Sequence, residues 1–149
     1  MKISVFSIVK HDSFGSFYED IIKQCRAFGA SLKICDIFNS QIAKAQKSSA
    51  QEAQKSYTQA LIPHLKQCNY TLHPKGKQID SFHFAKLLDG KSEVCFFIGG
   101  AYGFNQDFLQ YTQNISLSSL TLSHQVAKVL LCEQIYRGLS INANHPYHK

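Results

Sequence analysis

The chain ends in "YRGLSINANHPYHK", which gathers Arg137, His145, Tyr147 and His148 into one short segment. A guanidinium donates two parallel hydrogen bonds to a phosphate, carboxylate or carbonyl. An imidazole or a phenol beside it can position or pass a proton. Together these types suit chemistry on an anionic or carbonyl-bearing substrate. Arginine is otherwise scarce: fourteen of the sixteen Lys and Arg residues are lysine, and only Arg26 shares the type. His145 and His148 also spell H-x-x-H, but Pro146 between them denies a helical ligand face and no third ligand is near, so no metal is expected.

Three stretches upstream could hold a ligand. "FIGGAYG" sets Gly99, Gly100 and Gly103 directly behind an apolar run, where missing side chains permit close backbone approach. It is neither G-x-G-x-x-G nor a phosphate loop, and a tight turn explains it equally well. "LSSLTLSH" mixes Leu117, Leu120 and Leu122 with Ser118, Ser119 and Thr121. Backbone groups there could bond an adenine edge while the leucines face the ring. Ser123 reads as the N-cap of the following helix. "TLHPKGK" is the third stretch, a turn-rich segment after a strand.

The elements that must position these residues alternate along the chain. "KISVFSI" and "SLKICDIF" alternate apolar and polar residues as strands do, with a helix over "SFYEDIIKQCRAF" between them. Residues 40–66 are expected to be helical and to end or bend at Pro63. "QCNYTL" is a short strand followed by a "HPKGK" loop, "SFHFAKLLDG" a helix, and "EVCFFI" a strand buried on both faces. A helical turn near "NQDFLQY", a strand-like "ISLSSLTL" and a last helix over about 123–141 complete the order. Val126, Val129 and Leu130 form an apolar stripe on that helix, which continues through the i, i+4 pair Glu133 and Arg137. Leu131, Ile135 and Leu139 lie off that stripe and are expected to support contact between copies. Alternating strands and helices predict an α/β sandwich with a largely parallel sheet, whose ligands bind at the strand carboxyl ends. The three ligand stretches lie at such ends.

At 149 residues the chain is expected to form a single domain over residues 1–149. Its 44% hydrophobic and 17% charged content excludes a disordered chain. Five cysteines without a C-x-x-C pair read as reduced thiols in a cytoplasmic protein. The apolar run in "MKISVFSIVK" is too short for a signal peptide, and no stretch nears the roughly 20 residues that cross a bilayer. No membrane is therefore expected as a partner. A net charge of +6 suits a polyanion, although scattered lysine is ordinarily a solvated surface.

The segment "SLSSLTLSHQVAKVLLCEQIYRGLSINANHPYHK", with "FFIGGAYG" and "YTLHPKGK" upstream, closely resembles one family, the ribosomal large-subunit pseudouridine methyltransferase H family of the SPOUT (trefoil-knotted) methyltransferases. The likeness is dense over about residues 93–149; residues 10–66 match only in length and general pattern. It implies a deep trefoil knot within about residues 70–149, a rare exception to the usual chain rules. It further implies a homodimer that transfers a methyl group from S-adenosylmethionine to N3 of a pseudouridine in helix 69 of 23S rRNA, on the assembled ribosome.

Carried over residue by residue, the resemblance places the cofactor against Leu72, against Gly99 and Gly100, and along Leu117, Ser118, Ser119, Leu120, Thr121 and Leu122. It implies a tail that folds over the cofactor and helps form the target-base pocket, and their residue types make Arg137, Tyr147 and His148 the candidate catalytic residues there. The chain departs from the family pattern at His73, usually acidic, at Ala101 and Tyr102, usually proline and an acid, at Ser123, usually proline, at Lys128, often arginine, and at Gly138, usually alanine. Two rival readings are a SPOUT enzyme acting on tRNA or a ribose, and a ribosome-binding factor without catalysis. The terminal "NHPYHK" argues against the first, and the intact glycine loop and tail against the second.

Overall fold

The computed structural model describes residues 1–149. Five strands form one sheet in the order β2-β1-β4-β3-β5, and every neighbouring pair is parallel. They are β1 (Lys2–Ile8), β2 (Ser31–Ile37), β3 (Asn69–Gln78), β4 (Glu93–Ile98) and β5 (Gln113–Ser116). β4 lies at the centre, and its alternation explains why it reads as one apolar run. Val94, Phe96 and Ile98 enter one core, and Cys95 and Phe97 enter the other.

Helices cover both faces. On the first lie α1 (Gly15–Arg26), α4 (Ser81–Leu88) and α6 (His124–Asn142), where Phe84, Phe96 and Tyr70 stack at centroid spacings of 5.5 Å. On the second lie α2 (Ser40–Ser48), α3 (Ala50–Leu61) and the short α5 (Gln106–Leu109). No helix is long and apolar enough to cross a membrane.

Residues 40–66 depart from the single helix expected. Ser49 is extended, at φ −159° and ψ 164°, and its hydroxyl accepts from the Glu52 amide, so it caps α3 and breaks α2 from it. The S-x-x-E spacing carries that signal. Pro63 sits in the 3-10 turn Ile62–His64 that ends α3. "HPKGK" belongs to β3 instead of following it. The ladder pairs Leu72 with Ile115 and then Lys77 with the same Ile115, so His73 to Gly76 bulge out of the sheet. Gly76 makes this possible: a Cβ there would lie 2.6 Å from the Ile115 backbone. "ISLSSLTL" is a strand only through Ser116.

α6 presents the face opposite to the one expected. Lys128, Leu131, Cys132, Ile135, Gly138 and Leu139 are buried, whereas Val126 is exposed. Leu131, Ile135 and Leu139 therefore belong to the core and are not available to another copy. The helix is apolar on both sides, and a lysine at the head of the inner stripe disguised it.

That lysine is the polar centre of the first core. Lys128 is 1% exposed, and its Nζ donates to Asp12 Oδ2 and Asp36 Oδ1, each at 2.6 Å. The Tyr18 ring faces the ammonium at 4.6 Å, the Tyr18 hydroxyl donates to Asp12, and the buried Ser7 hydroxyl donates to Asp36. Burial alone would raise the Asp12 pKa, but the bonds from Lys128, the Phe14 amide and Tyr18 outweigh it and hold the carboxyl below its usual range. Cys132 beside this group is pushed up to about 12 by burial and stays a thiol. Lys128→Met should cost on the order of 3 kcal/mol in a denaturant titration, because two carboxylates lose their shared cation. A loss below about 1 kcal/mol would mean that both carboxylates reach water without it.

Candidate active site

The carboxyl ends of β3, β4 and β5 open into one cleft of about 640 Å³. Each wall has a local reason for its shape. After β4, Gly99 to Gly103 make a tight turn closed by the Gly103 amide on the Gly100 carbonyl, 3.0 Å. The Gln54 side chain donates to the Tyr102 carbonyl and Thr58 to Asn105, which ties the turn to α3. A Cβ on Gly100 would lie 2.8 Å from the Tyr57 ring, and one on Gly99 3.1–3.2 Å from Phe104 and Gly103. A side chain would collide with Tyr57 at Gly100 and fit only tightly at Gly99, and what both glycines offer the cleft is bare backbone.

The second wall runs from Ser116 to Ser123. Its hydroxyls hold the loop: Ser116 donates to the Ser118 carbonyl, Ser118 accepts from the Leu120 amide, and Ser123 accepts from Val126 as the N-cap of α6. Leu117, Ser118, Leu120, Thr121 and Leu122 line the cleft, whereas Ser119 does not. The third wall is the β3 bulge, with Leu72 at its base and His73, Pro74 and Lys75 on the rim. Leu72, Gly99 and Gly100 line the cleft as expected from sequence. His73, Lys75 and His124 also line it; the "HPKGK" turn was the signal for the first two, and His73 stood out besides as a departure from the family pattern. The His73 Nδ1 accepts from the Lys75 amide at 3.1 Å, and burial with the nearby Lys75 ammonium holds its pKa below the usual histidine value.

Arg137, Tyr147 and His148 come together elsewhere. They cluster on the distal half of α6 and do not line the cleft. Thirteen residues of helix from His124 to Arg137 amount to roughly 20 Å. The tail turns back because Asn144 adopts a left-handed φ of 53° and the His145 amide donates to the Ser140 carbonyl. Tyr147 then packs on Tyr136, His145 on Phe28 and His148 on Phe82. Within one chain the tail therefore covers its own helix rather than the cleft.

Glu133 organises the cluster. Its Oε1 accepts from Arg137 Nε at 3.0 Å, Arg137 Nη2 at 2.6 Å and the Tyr147 hydroxyl at 3.1 Å. The guanidinium also lies 4.7 Å from the centre of the Tyr147 ring. Burial and the bond to Glu133 raise the Tyr147 pKa, so this phenol is a donor and not a base. Arg137 Nη1 lies 3.2 Å from His148 Nδ1. A guanidinium only donates, so Nδ1 is the acceptor and the neutral ring carries its proton on Nε2. No three His, Cys, Asp or Glu side chains converge as a metal would require.

A fully parallel sheet covered by helices, with one cleft of backbone and apolar walls at its strand ends, defines a class. Over residues 1–148 the chain matches the family described as predicted SPOUT methyltransferase, and it belongs to that family of methyltransferases. Among its relatives, the ribosomal RNA large subunit methyltransferase H of Wolinella succinogenes is 52% identical over 155 residues, covering 100% of both chains. Proteins of the same name from Helicobacter acinonychis and Helicobacter hepaticus are 49% and 44% identical, again over the full length of both chains. Membership of the family implies S-adenosylmethionine as the methyl donor.

Glu133→Gln should loosen the tail, since it weakens the acceptor that Arg137 and Tyr147 share. Carboxypeptidase should then trim residues 145–149 several-fold faster while the melting temperature changes little. Unchanged trimming would mean that the ring contacts alone hold the tail.

Proposed function

We propose that this chain methylates ribosomal RNA, carrying a methyl group from S-adenosylmethionine to N3 of a pseudouridine in helix 69 of 23S rRNA in the assembled ribosome. The observation that carries this reading is the meeting of three separate loops, after β3, β4 and β5, in one cleft. The full-length relatives, named for the large-subunit rRNA, support the substrate. The work of such an enzyme lies in the cytoplasm.

The cleft suits the cofactor in the chemistry of its walls. Leu117, Leu120 and Leu122 offer apolar contact for a purine, and the bare backbone at Gly99 and Gly100 can approach closely. Bound there, S-adenosylmethionine supplies an activated methyl group on a sulfonium. Alignment of donor and acceptor by these walls accounts for much of the rate. The acceptor N3 must lose its proton, which leaves negative charge on the flanking carbonyl oxygens. Arg137 and the Nε2–H of His148 are donors suited to those oxygens, and Tyr147 adds a third. The proton itself leaves to water.

These donors lie at the far end of α6 from the cleft of their own chain, so we place them at the cleft of a second copy. An isologous contact that runs two α6 helices antiparallel brings each tail toward the other cleft. Exposed apolar residues mark that side: Leu120 is 72% exposed, Val126 46%, Phe82 57% and Tyr147 40%. A chain threaded as a trefoil knot within about residues 70–149 belongs to the same proposal.

The deciding experiment is transfer of labelled methyl from S-adenosylmethionine to ribosomes lacking the modification, followed by nucleoside mass spectrometry. Label on N3 of pseudouridine supports the reading; label on tRNA or a ribose, or none, replaces it with one of the rivals. In the same assay, deletion of residues 144–149 should lower turnover by orders of magnitude with only a modest loss of cofactor affinity. Light scattering should give twice the 16.8 kDa of one chain, and a monomer at micromolar concentration would remove the composite site. Gly99→Val should weaken cofactor binding more than about tenfold by calorimetry, because the branched side chain drives Phe104 and Gly103 apart.

A further inference from the structure

The side chains around the cleft include no aspartate or glutamate. Lys75 is the one lysine among them, and it takes part in no ion pair within the chain. Its place is built by the bulge: β3 leaves the ladder at Leu72 and rejoins it at Lys77, opposite the same Ile115. The excursion is short and braced at both ends. Gly76 packs directly on the β5 backbone, and the Lys75 amide is bonded to the His73 ring. A lysine on a braced lip, facing a cleft without carboxylates, is arranged to receive an anion.

S-adenosylmethionine has one anionic group, the carboxylate of its amino-acid arm. The other two walls offer leucines, glycines, serine hydroxyls already engaged in holding their own loop, and the uncharged Gln54, Gln106 and Thr121 side chains with the His124 ring, so Lys75 is the one lysine or arginine that lines the cleft. We infer that Lys75 on the β3 lip receives the cofactor's amino-acid carboxylate and so selects ligands that carry that arm. The inference rests on the cofactor lying in this cleft.

Two nucleosides separate the terms. S-adenosylhomocysteine carries the amino-acid arm, and 5′-methylthioadenosine lacks it. Calorimetry at low salt should show Lys75→Met weakening S-adenosylhomocysteine about fivefold, as expected for a partly exposed charge pair. Binding of 5′-methylthioadenosine should stay within about twofold, Lys75→Arg should retain affinity for both, and added salt should shrink the difference. Equal weakening of both nucleosides would make Lys75 a shaping residue and overturn the assignment. No weakening of either would also overturn it, and a raised KM for ribosomes alongside would then assign the lysine to an RNA phosphate. If Gly99→Val leaves both nucleosides bound as before, the cofactor is not in this cleft, and the assignment falls together with that reading. Lys75 is exposed, so the variants should fold; matching circular dichroism spectra check this.

Discussion

The buried ammonium of Lys128 is the constraint on which the rest of the molecule turns. Removing an ammonium from water costs several kcal/mol unless opposite charge and hydrogen bonds replace the lost hydration. Here the replacement comes from two distant parts of the chain, Asp12 after β1 and Asp36 on β2. Only one placement of α6 brings Lys128 between them. That placement sets the rotation of the helix, and with it everything at either end: the serine-leucine wall of the cleft ahead of His124, and the Glu133–Arg137 group farther on. Gln125 reinforces the docking by donating to the His11 carbonyl. A purely apolar stripe would hold the helix against the sheet, but it would resist sliding by a turn far less.

The cleft and the tail are made of different materials. The cleft is mostly backbone, apolar side chains and hydroxyls turned inward to hold loops, with His73, Lys75 and His124 also lining it. The tail is a set of charged and aromatic groups that satisfy one another around Glu133. Such a division suits a ligand with a large apolar ring system on one side and a polar, anionic partner on the other. It also explains why neither half resembles a nucleotide-binding motif in sequence: the contacts available in the cleft depend on where the backbone goes.

Local order was legible wherever neighbours decide it. "EVCFFI" announced a strand covered on both faces, Ser123 announced a cap, and the glycines after Ile98 announced a tight turn. The ladder resuming after the "HPKGK" turn was not legible, because Lys77 pairs with a strand almost forty residues downstream. The break at Ser49 was present as S-x-x-E but was hidden in a uniformly polar, helix-forming stretch. The inner face of α6 was masked because its first member is charged, and the partners of that charge lie 116 and 92 residues away. The resemblance implied a tail folded over the cofactor loops. It could not show that a single chain holds them apart, since that follows from the direction in which the tail turns at Asn144.

The strand order has a consequence for how the molecule is made. β4 is inserted between β1 and β3, and its Phe96 packs against α4 in a core that α6 closes with Leu131, Ile135 and Leu139. A chain emerging from its amino end can pair β1 with β2 early, but the core around Val5, Val94 and Phe96 has only α1 and α4 over it until the last helix has been synthesised. Parallel pairings between distant segments form slowly. Nascent chains that stall before α6 would expose a wide apolar sheet face, the kind of surface that chaperones bind and that aggregates when it is left bare.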